Sequence, residues 1–403
     1  MKRAITLGGG GPAAGLHIGI LEALQSYPEI TFDVWSLSCI GAWVGIVHNQ
    51  FDEPDKAGKT LRFFKDHVFR DDESYERFPI NSVFGTDWLG NTEAFWNFVG
   101  DIRNYKDIWL PHKIMDAFGE SMSIFSDPRK WNRGDFNGWI LNQVLAPNPY
   151  ARYLASLMYL SGVNGLSRIN YPDSSFMQSI KFEKLFGPGK PLIFHNAFNL
   201  DDQKLAFFDN NQLKSRLREG PINASTLCAC SALPFVEQTV EMNGVTYCEG
   251  ALVDTVNFEA LLEQYDDPNE LDEIWVCRIV DKGQIRKPAN LHDSLANLCQ
   301  LFAATVGEDD VKLFRYHVMY ESLSNGKRWR GTVVEIHVPH HIDFKWNHSN
   351  LEAGRVRGRT AAMKAIAAYK AAGPRHAKDS TEARFVNSKE TLVKDEFMHR
   401  KAG

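Results

Sequence analysis

The first 50 residues repeat one pattern that restricts the fold more than any other feature of the chain. The short apolar segment RAITL ends in glycines and is followed by AAGLHIGILEALQ, whose apolar residues recur at helical spacing. The segment ITFDVWSLS then leads into IGAWVGIVHNQ in the same way. Two consecutive strand–turn–helix units predict an α/β fold with a mainly parallel sheet and crossover helices.

Later segments extend this sheet. Nearly continuous apolar runs at 191–198 and 274–280 predict buried strands, and TVVEIHV predicts a last strand before a C-terminal helix. The tetrapeptide MNGV, between the first two runs, predicts the tip of a hairpin. We therefore expect one α/β domain over residues 1–373. Residues 374–403 are charged and poor in apolar side chains, so we expect a tail there that is mobile or loosely docked.

Residues 51–185 have a different texture, with aromatic side chains in short clusters such as DWLGNTEAFWNFVG and RKWNRGDFNGWIL. This range predicts irregular helices that form an aromatic-rich insertion or cap. Two interpretations remain open at this point: an ordinary helical insertion with its own core, or a lid that faces lipid.

Composition excludes several classes of partner. The chain has 45 basic and 50 acidic residues, so no overall field draws it to nucleic acid or to anionic lipid. Local peripheral contact with a membrane stays open, since the basic face of the C-terminal helix is an alternative lipid contact. No apolar run approaches the roughly 18 residues of a membrane span. The composition leaves the oligomeric state undetermined.

Cysteines and histidines give no indication of a metal or another cofactor. The six cysteines lie mostly in apolar segments without paired metal spacing, which predicts a reducing, cytoplasmic compartment. The histidines of EIHVPHHIDFKWNHS lack a helical HExxH frame, so surface or capping roles are favoured.

The glycine run LGGGGPAAG, at 7–15, has three interpretations. It satisfies the dinucleotide pattern G-x-G-x-x-A, but the next strand ends in SLS and lacks the acidic residue that would hold a ribose. A phosphate loop would need a following Gly-Lys-Ser/Thr, which is absent from the sequence. The third interpretation is an oxyanion hole, in which Gly9, Gly10 and Gly11 donate backbone N–H groups to a tetrahedral intermediate.

The segment LSCIG matches a nucleophile elbow of the form G-x-S-x-G at some positions only. Cys39 falls at the nucleophile and Gly41 at the last glycine, whereas Leu37 replaces the first glycine. Making Ser38 the nucleophile would lose the match at Gly41 and at Ala42. The pattern therefore indicates a cysteine nucleophile at the start of a helix.

These segments, together with SALPFVEQTVEMNGVTYCEGALVDT and in this order, resemble the patatin-like phospholipase family over most of residues 1–285. The segment HIDFKWNHSNLEAGRVRGRTAAM is similar to the C-terminal region of a bacterial subset. The resemblance implies a three-layer α/β fold and acyl-ester hydrolysis by a Ser-Asp dyad without histidine. It also implies that the glycine run supplies the oxyanion hole.

Carried over by position, the nucleophilic serine falls on Cys39 and the dyad aspartate on Glu249. Gly41, Ala42 and Asp254 match the family and are expected to support the elbow. The basic residue usual after the glycines is replaced by Pro12-Ala13. An artificial serine-to-cysteine change would leave Leu37 and Glu249 unexplained.

The two replacements still allow acyl chemistry. Moving a proton from a thiol to a carboxylate costs about 4 pKa units, or roughly 6 kcal/mol, before the protein tunes either group. We expect burial of Glu249 to narrow this difference, a helix N-terminus to lower the pKa of Cys39, and Leu37 to reshape the turn or fill the pocket floor. The longer Glu249 side chain and the larger sulfur are expected to crowd each other unless the loop lies further back.

We predict an acyl hydrolase or acyltransferase that acts on lipid esters or acyl thioesters. A thioester intermediate can pass its acyl group to an amine or a thiol as well as to water, so both activities remain. The alternative is a catalytically retired patatin-like protein that binds lipid or a protein partner, with Cys39 as an inert, buried thiol.

Overall fold

The computed structural model describes residues 1–79, 87–105, 110–156, 164–168, 174–320 and 328–388. The chain divides into two units, the first formed by residues 1–85 and 169–403 and the second by residues 86–168. The second unit lies inside the range 51–185 that the sequence assigned to the insertion.

A ten-stranded sheet forms the centre of the first unit, in the order β12-β11-β10-β1-β2-β4-β5-β6, with β9 paired to β4 and β8 to β9. Six strands, from β12 to β4, are parallel, whereas β5 and β9 run antiparallel to β4. In chain order the strands of the described residues are β1 (Arg3–Leu7), β2 (Val34–Leu37), β3 (Gly165–Ser167), β4 (Leu192–Asn199), β5 (Lys204–Asp209), β6 (Arg218–Pro221), β7 (Phe235–Glu237), β8 (Val240–Met242), β9 (Val245–Glu249), β10 (Glu273–Arg278), β11 (Thr332–His337) and β12 (Arg384–Val386).

Helices cover both faces of the sheet, as alternate residues of its strands show. Ile5 and Leu7 pack into the cluster formed with α1, α2 and α13, whereas Ala4 packs into the cluster formed with α11 and α12. The fold is therefore a three-layer α/β fold. The helices are α1 (Ala14–Gln25), α2 (Ile40–Gln50), α3 (Lys56–His67), α4 (Asp72–Arg77), α5 (Trp88–Gly100), α6 (Pro111–Ser126), α7 (Arg133–Trp139), α8 (Pro149–Ser156), α9 (Ser175–Ser179), α10 (Ala224–Cys230), α11 (Phe258–Glu263), α12 (Leu291–Tyr320) and α13 (His348–Ala372).

Glycines allow α1 and α13 to pack with their backbones almost touching. A Cβ atom at Gly15 would lie 2.1 Å from the Leu351 carbonyl oxygen, and one at Gly19 would lie 1.9 Å from that of Arg355. From the other side, a Cβ atom at Gly358 would lie 2.0 Å from the carbonyl oxygen of Leu16. Larger side chains would force the helices apart, so these positions fix α13, and the loop that precedes it, close to the start of α1.

Most of the predicted elements are confirmed. The two N-terminal units, the strands at 192–199, 273–278 and 332–337, and the hairpin with Asn243 and Gly244 at its tip all form. Within the predicted tail, β12 pairs with β11 at the edge of the sheet. The remainder of that segment, 389–403, lies outside the described residues.

The second unit contains α5 to α8 and β3. Its helices pack through small aromatic clusters, in which the rings of Phe95 and Tyr150 lie 4.6 Å apart and those of Phe125 and Trp139 lie 5.2 Å apart. Many large apolar side chains of the unit are nevertheless exposed, including Trp88, Leu89, Trp96, Ile102, Ile114, Met115, Phe118, Met122, Phe125 and Trp131. Across the described residues of both units, no helix is long and apolar enough to cross a membrane.

Candidate active site

Cys39 occupies the turn between β2 and α2 in a strained conformation. Its φ and ψ angles are 49° and −126°, a backbone conformation that residues other than glycine rarely adopt. The turn is held by a hydrogen bond from Ser38 N–H to the Leu7 carbonyl and by one from Ser38 Oγ to the Thr255 carbonyl. The turn therefore has the geometry of a nucleophile elbow, with Cys39 at the N-terminus of α2.

Three small positions permit this elbow. A Cβ atom at Gly41 would lie 2.0 Å from the Leu7 carbonyl oxygen, so glycine is needed where α2 crosses β1, and Ala42 next to it is fully buried. Gly45 makes room for Leu37, since a Cβ atom there would lie 2.5 Å from Leu37 Cδ2. Leu37 is thus accommodated in the core under α2 and does not line the cavity beside Cys39, so the expectation that it fills the pocket floor is wrong.

Glu249 reaches Cys39 from the end of β9. Its N–H donates to the Ala232 carbonyl at 2.9 Å, its side chain is buried, and its carboxyl group is near enough to the Cys39 thiol for each to shift the pKa of the other. Gly9 provides the room for this pair, because a Cβ atom there would lie 3.2 Å from Cys39 Cβ and 3.6 Å from Glu249 Oε1. Both side chains therefore border the space that the absent side chain of Gly9 leaves free.

The glycine run faces the same place. No described residue accepts a hydrogen bond from the backbone N–H groups of Gly9, Gly10 or Gly11, and all three glycines line the cavity beside Cys39. The fully buried His17 bonds through Nε2 to the Gly8 carbonyl at 2.9 Å. Burial lowers the pKa of His17 to about 4, so the neutral ring donates this bond. His17 thereby orients the loop and lies outside the cavity.

Burial raises the pKa of both members of the Cys39–Glu249 pair. The pKa of Glu249 rises to about 7, with the hydrogen bond from Cys39 opposing the shift. The pKa of Cys39 rises well above its usual range, first through burial and then through the neighbouring carboxylate, while the N–H of Ile40 lowers it. Burial raises the pKa of Glu249, as expected, but desolvation also raises that of Cys39, since it disfavours both charged forms. At neutral pH Cys39 is therefore a thiol, and Glu249 is divided between its acid and its carboxylate form.

Cys230 is a contact that the sequence did not assign to the site. Its Sγ atom accepts a hydrogen bond from the backbone N–H of Cys39 at 3.2 Å, and it lies at the end of α10. The next residue, Ser231, accepts from the indole N–H of Trp43 at 2.8 Å. The only signal in the sequence was that Cys230 precedes, and Ser231 begins, the segment SALP. Their positions along the chain did not show that they lie next to the turn at Cys39.

A cavity of about 130 Å³ opens beside the thiol. Cys39, Glu249 and the three glycines line one part of it. The remainder is largely apolar, with walls formed by Ile40, Trp43, Leu233, Val236, Ala303, Phe344 and Trp346. All of these residues belong to the first unit.

Asp254 lies outside this cavity and supports the loop after Glu249. Its Oδ1 atom accepts hydrogen bonds from the N–H groups of Val256 and Asn257, at 2.9 and 2.6 Å. Its carboxyl group also bonds to that of Asp310, which in turn accepts from both the N–H and the hydroxyl of Thr255. Because Asp310 is on α12, more than 50 residues further along the chain, no local motif indicated this pair.

The histidines of the segment EIHVPHHIDFKWNHS mostly form hydrogen bonds that hold neighbouring loops in place. His337 contacts Asp281, His341 bonds to the Gln284 carbonyl, and His348 bonds to the carbonyls of Lys65 and Phe69. Within the described ranges, no three His, Cys, Asp or Glu side chains are grouped to hold a metal ion.

The basic face of α13 is largely neutralised. Arg355 pairs with Glu22 and Glu352, and Lys370 pairs with Glu29. These contacts favour a solvated, ion-paired surface over the lipid-binding alternative for α13.

The family model for patatin-like phospholipases matches residues 5–262, which is more than half of the chain. Among solved structures, VipD from Legionella pneumophila is similar at 12% identity and a TM-score of 0.38, over 91% of this chain and 66% of the VipD chain. No curated protein matches the chain. With the three-layer fold, the elbow and the glycine loop in place, the family match shows that this chain belongs to the patatin-like phospholipase family.

Proposed function

We propose that this protein cleaves or transfers acyl groups from lipid esters or acyl thioesters, with Cys39 as nucleophile and Glu249 as its base. Family membership supports lipid acyl hydrolysis in general. The observation that carries the cysteine mechanism is the placement of Cys39, held in the strained elbow, and the buried side chain of Glu249 against Gly9 at the same cavity. A retired site would have little reason to keep this costly backbone conformation.

The geometry supports a reaction in two steps. As Cys39 Sγ attacks the acyl carbon, the thiol proton passes to Glu249 and negative charge develops on the carbonyl oxygen. The N–H groups of Gly9, Gly10 and Gly11 stabilise that charge. Collapse of the intermediate expels an alcohol or a thiol, which takes the proton from Glu249 and leaves a thioester on Cys39. Water, or an amine or thiol acceptor, then attacks the thioester with Glu249 again as base.

The raised pKa of Glu249 suits this role. A base with a pKa of about 7 is matched to neutral pH, and a carboxylate with its usual pKa would take the thiol proton less readily. Because the resting thiol is protonated, proton transfer must accompany the attack on the acyl carbon.

The test is intact mass after incubation with acyl thioesters and p-nitrophenyl esters, beside Cys39→Ala and Glu249→Gln. We expect an acyl adduct or turnover that disappears in Cys39→Ala. Competition between water and added amines then separates a hydrolase from a transferase. A folded protein without adduct or turnover over the whole panel would overturn the proposal.

One observation favours the alternative of a retired lipid or protein binder. Burial raises the pKa of Cys39 and so disfavours the thiolate. Native-state alkylation separates the alternatives, because a working Cys39 must react with iodoacetamide and an inert one must wait for unfolding. Site-resolved peptide mass is needed, since Cys299 also lines the cavity.

We further propose that the second unit makes the peripheral lipid contact. Along α6, Ile114, Phe118, Met122 and Phe125 recur every three or four residues and are all more than half exposed. We expect co-sedimentation with phosphatidylcholine vesicles that weakens in Phe118→Ser/Met122→Ser. The exposed Leu313→Ser on α12 is the control, and equal binding by both variants would overturn the assignment.

A further inference from the structure

We propose that the acyl group of the substrate is short, about four to six carbons, and is held in the apolar part of the cavity beside Cys39. This inference rests on the proposed function and adds the chain-length class of its substrate. It makes Ala303 and Leu233 specificity-determining residues.

Cavity size carries the first step. The space beside Cys39 is about 130 Å³. An engineered apolar cavity of about 150 Å³ holds one benzene molecule, which has six carbons. Pockets that enclose larger ligands run from about 300 to 1,000 Å³. A long fatty acyl chain therefore exceeds the space available beside the thiol.

The position of the reacting groups carries the second step. Cys39 and the N–H groups of Gly9, Gly10 and Gly11 line the cavity itself. The thiol and the oxyanion donors fix the acyl carbon beside them, so the part of the chain that the cavity encloses must occupy its apolar remainder. The limit on volume thus becomes a limit on the enclosed length of the chain.

Contacts with neighbouring side chains hold the aromatic walls in place. Trp43 is almost fully buried, and its ring stacks on Phe176 at 5.9 Å while its indole N–H donates to Ser231. Trp346 packs against Phe69 with ring centroids 5.2 Å apart.

The ring of Phe344 packs against the glycine loop. A Cβ atom on Gly11 would lie 2.9 Å from its ring. Enlarging the cavity would require these rings to leave packed positions, so the walls define its length.

Two smaller wall residues adjust that length without touching the reacting groups. Ala303 lies on α12 in the wall of the cavity. A leucine at this position would add three carbons and fill part of the cavity. Leu233 also lines the cavity, lies in the loop after α10, and is only partly buried. Ala303→Leu is expected to shorten the accepted chain, and Leu233→Ala to lengthen it.

The experiment uses the full chain and two readouts. The first is kcat/KM for p-nitrophenyl esters from acetate to laurate, below their micelle concentrations. The second is protection of Cys39 from iodoacetamide by the free carboxylic acids of the same lengths, read by peptide mass. The control variant is Leu313→Ala, an exposed position on α12 away from the cavity.

We expect both readouts to peak at four to six carbons and kcat/KM to fall at least tenfold by ten carbons. The peak should move to two or three carbons in Ala303→Leu, move to longer chains in Leu233→Ala, and stay in place in Leu313→Ala. A peak at ten or more carbons, or a flat profile with turnover, overturns the inference alone. Absent turnover with protection still peaking at four to six carbons overturns the proposed reaction and supports the cavity size.

Discussion

Two pairs of ionisable side chains include acids only five residues apart in the chain, Glu249 and Asp254, and the pairs differ in what surrounds them. Glu249 lies next to the thiol of Cys39 beside a cavity, whereas Asp254 bonds to Asp310 under the loop that follows. Burial raises the pKa of Glu249 and of Asp310 to about 7. A raised pKa alone therefore does not distinguish a reactive site from a structural one.

The two pairs differ instead in their hydrogen bonds and in whether they adjoin a cavity. Asp254 and Asp310 use their oxygens to hold the N–H groups of Thr255, Val256 and Asn257. Beside Cys39, in contrast, the glycine N–H groups face a cavity and have no acceptor among the described residues. Donors that await an acceptor, next to a strained nucleophile, are what a reaction with developing negative charge requires.

The largest expected difference between the pairs comes from removing the thiol. Cys39→Ala should lower kcat/KM for acyl esters by about 10³-fold or more, because no other group at the elbow can form the thioester. The free energy of unfolding should change by less than about 1 kcal/mol. Asp310→Asn is the matched variant of the second pair and should still form the acyl adduct. Equal loss in both variants would contradict the division of roles.

Glu249→Gln should lower the rate by about 10² to 10⁴-fold, since the amide cannot take the thiol proton. The wild-type rate should rise as the pH passes through about 7, where the carboxylate becomes ionised and able to act as a base. Initial rates from pH 5 to 9 measure this dependence. A rise that persists unchanged in Glu249→Gln would assign it to another group.

Asp254→Ala should affect stability most. The substitution leaves the N–H groups of Val256 and Asn257 without their acceptor, and a lost buried acceptor costs about 1 to 3 kcal/mol. Urea unfolding measures the change. Asp266→Ala is the control, because its side chain is 97% exposed and its ion pair with Lys214 contributes little. Similar losses in the two variants would show that the loop does not depend on Asp254.

Asp310→Asn should have the smallest effect, visible in the pH dependence of stability. Burial, and then the charge of Asp254, raise the pKa of Asp310 from its usual value near 4 to about 7. Between these values the folded state binds more protons than the unfolded state, so stability falls as the pH rises. The Tm measured from pH 4 to 8 should fall less in Asp310→Asn.

Glu249 contributes a slope of the same sign, because its folded-state pKa is also raised. Buried histidines with lowered pKa values, such as His17, contribute the opposite slope, so the assignments are tested by differences between variants. Adding Glu249→Gln to Asp310→Asn should make the change in Tm from pH 4 to 8 more positive again. A change in Tm that is the same in wild type and in both variants would contradict the two assignments.

Much of the fold could be predicted because its signals are local. Alternation of apolar strands, turns and amphipathic helices fixed the parallel sheet, and Asn243-Gly244 marked a hairpin because both residues adopt positive φ angles. The strands β5 and β6 and the long helix α12 were not predicted. The strand β12 was hidden in a charged segment, since an edge strand needs few apolar residues.

The candidate site divides in the same way. Cys39, Gly41 and the glycines are adjacent to strand ends, so their positions followed from the motif and from the way parallel strands end at one edge. Leu37 was misjudged because its compensating partner, Gly45, is visible only once α2 packs on β2. Cys230 and Asp310 belong to helices distant in sequence, and no spacing rule connects them to the elbow.

The sequence by itself determined the layer architecture, the elbow and the identity of the thiol and the acid that could react. Only the tertiary structure decided that Glu249 fits beside Cys39 through the space left at Gly9, and that both groups have raised pKa values. The physical reason is that motifs record chain neighbours. Desolvation, cavity volume and hydrogen-bond partners depend on atoms that folding brings together from segments far apart in the chain.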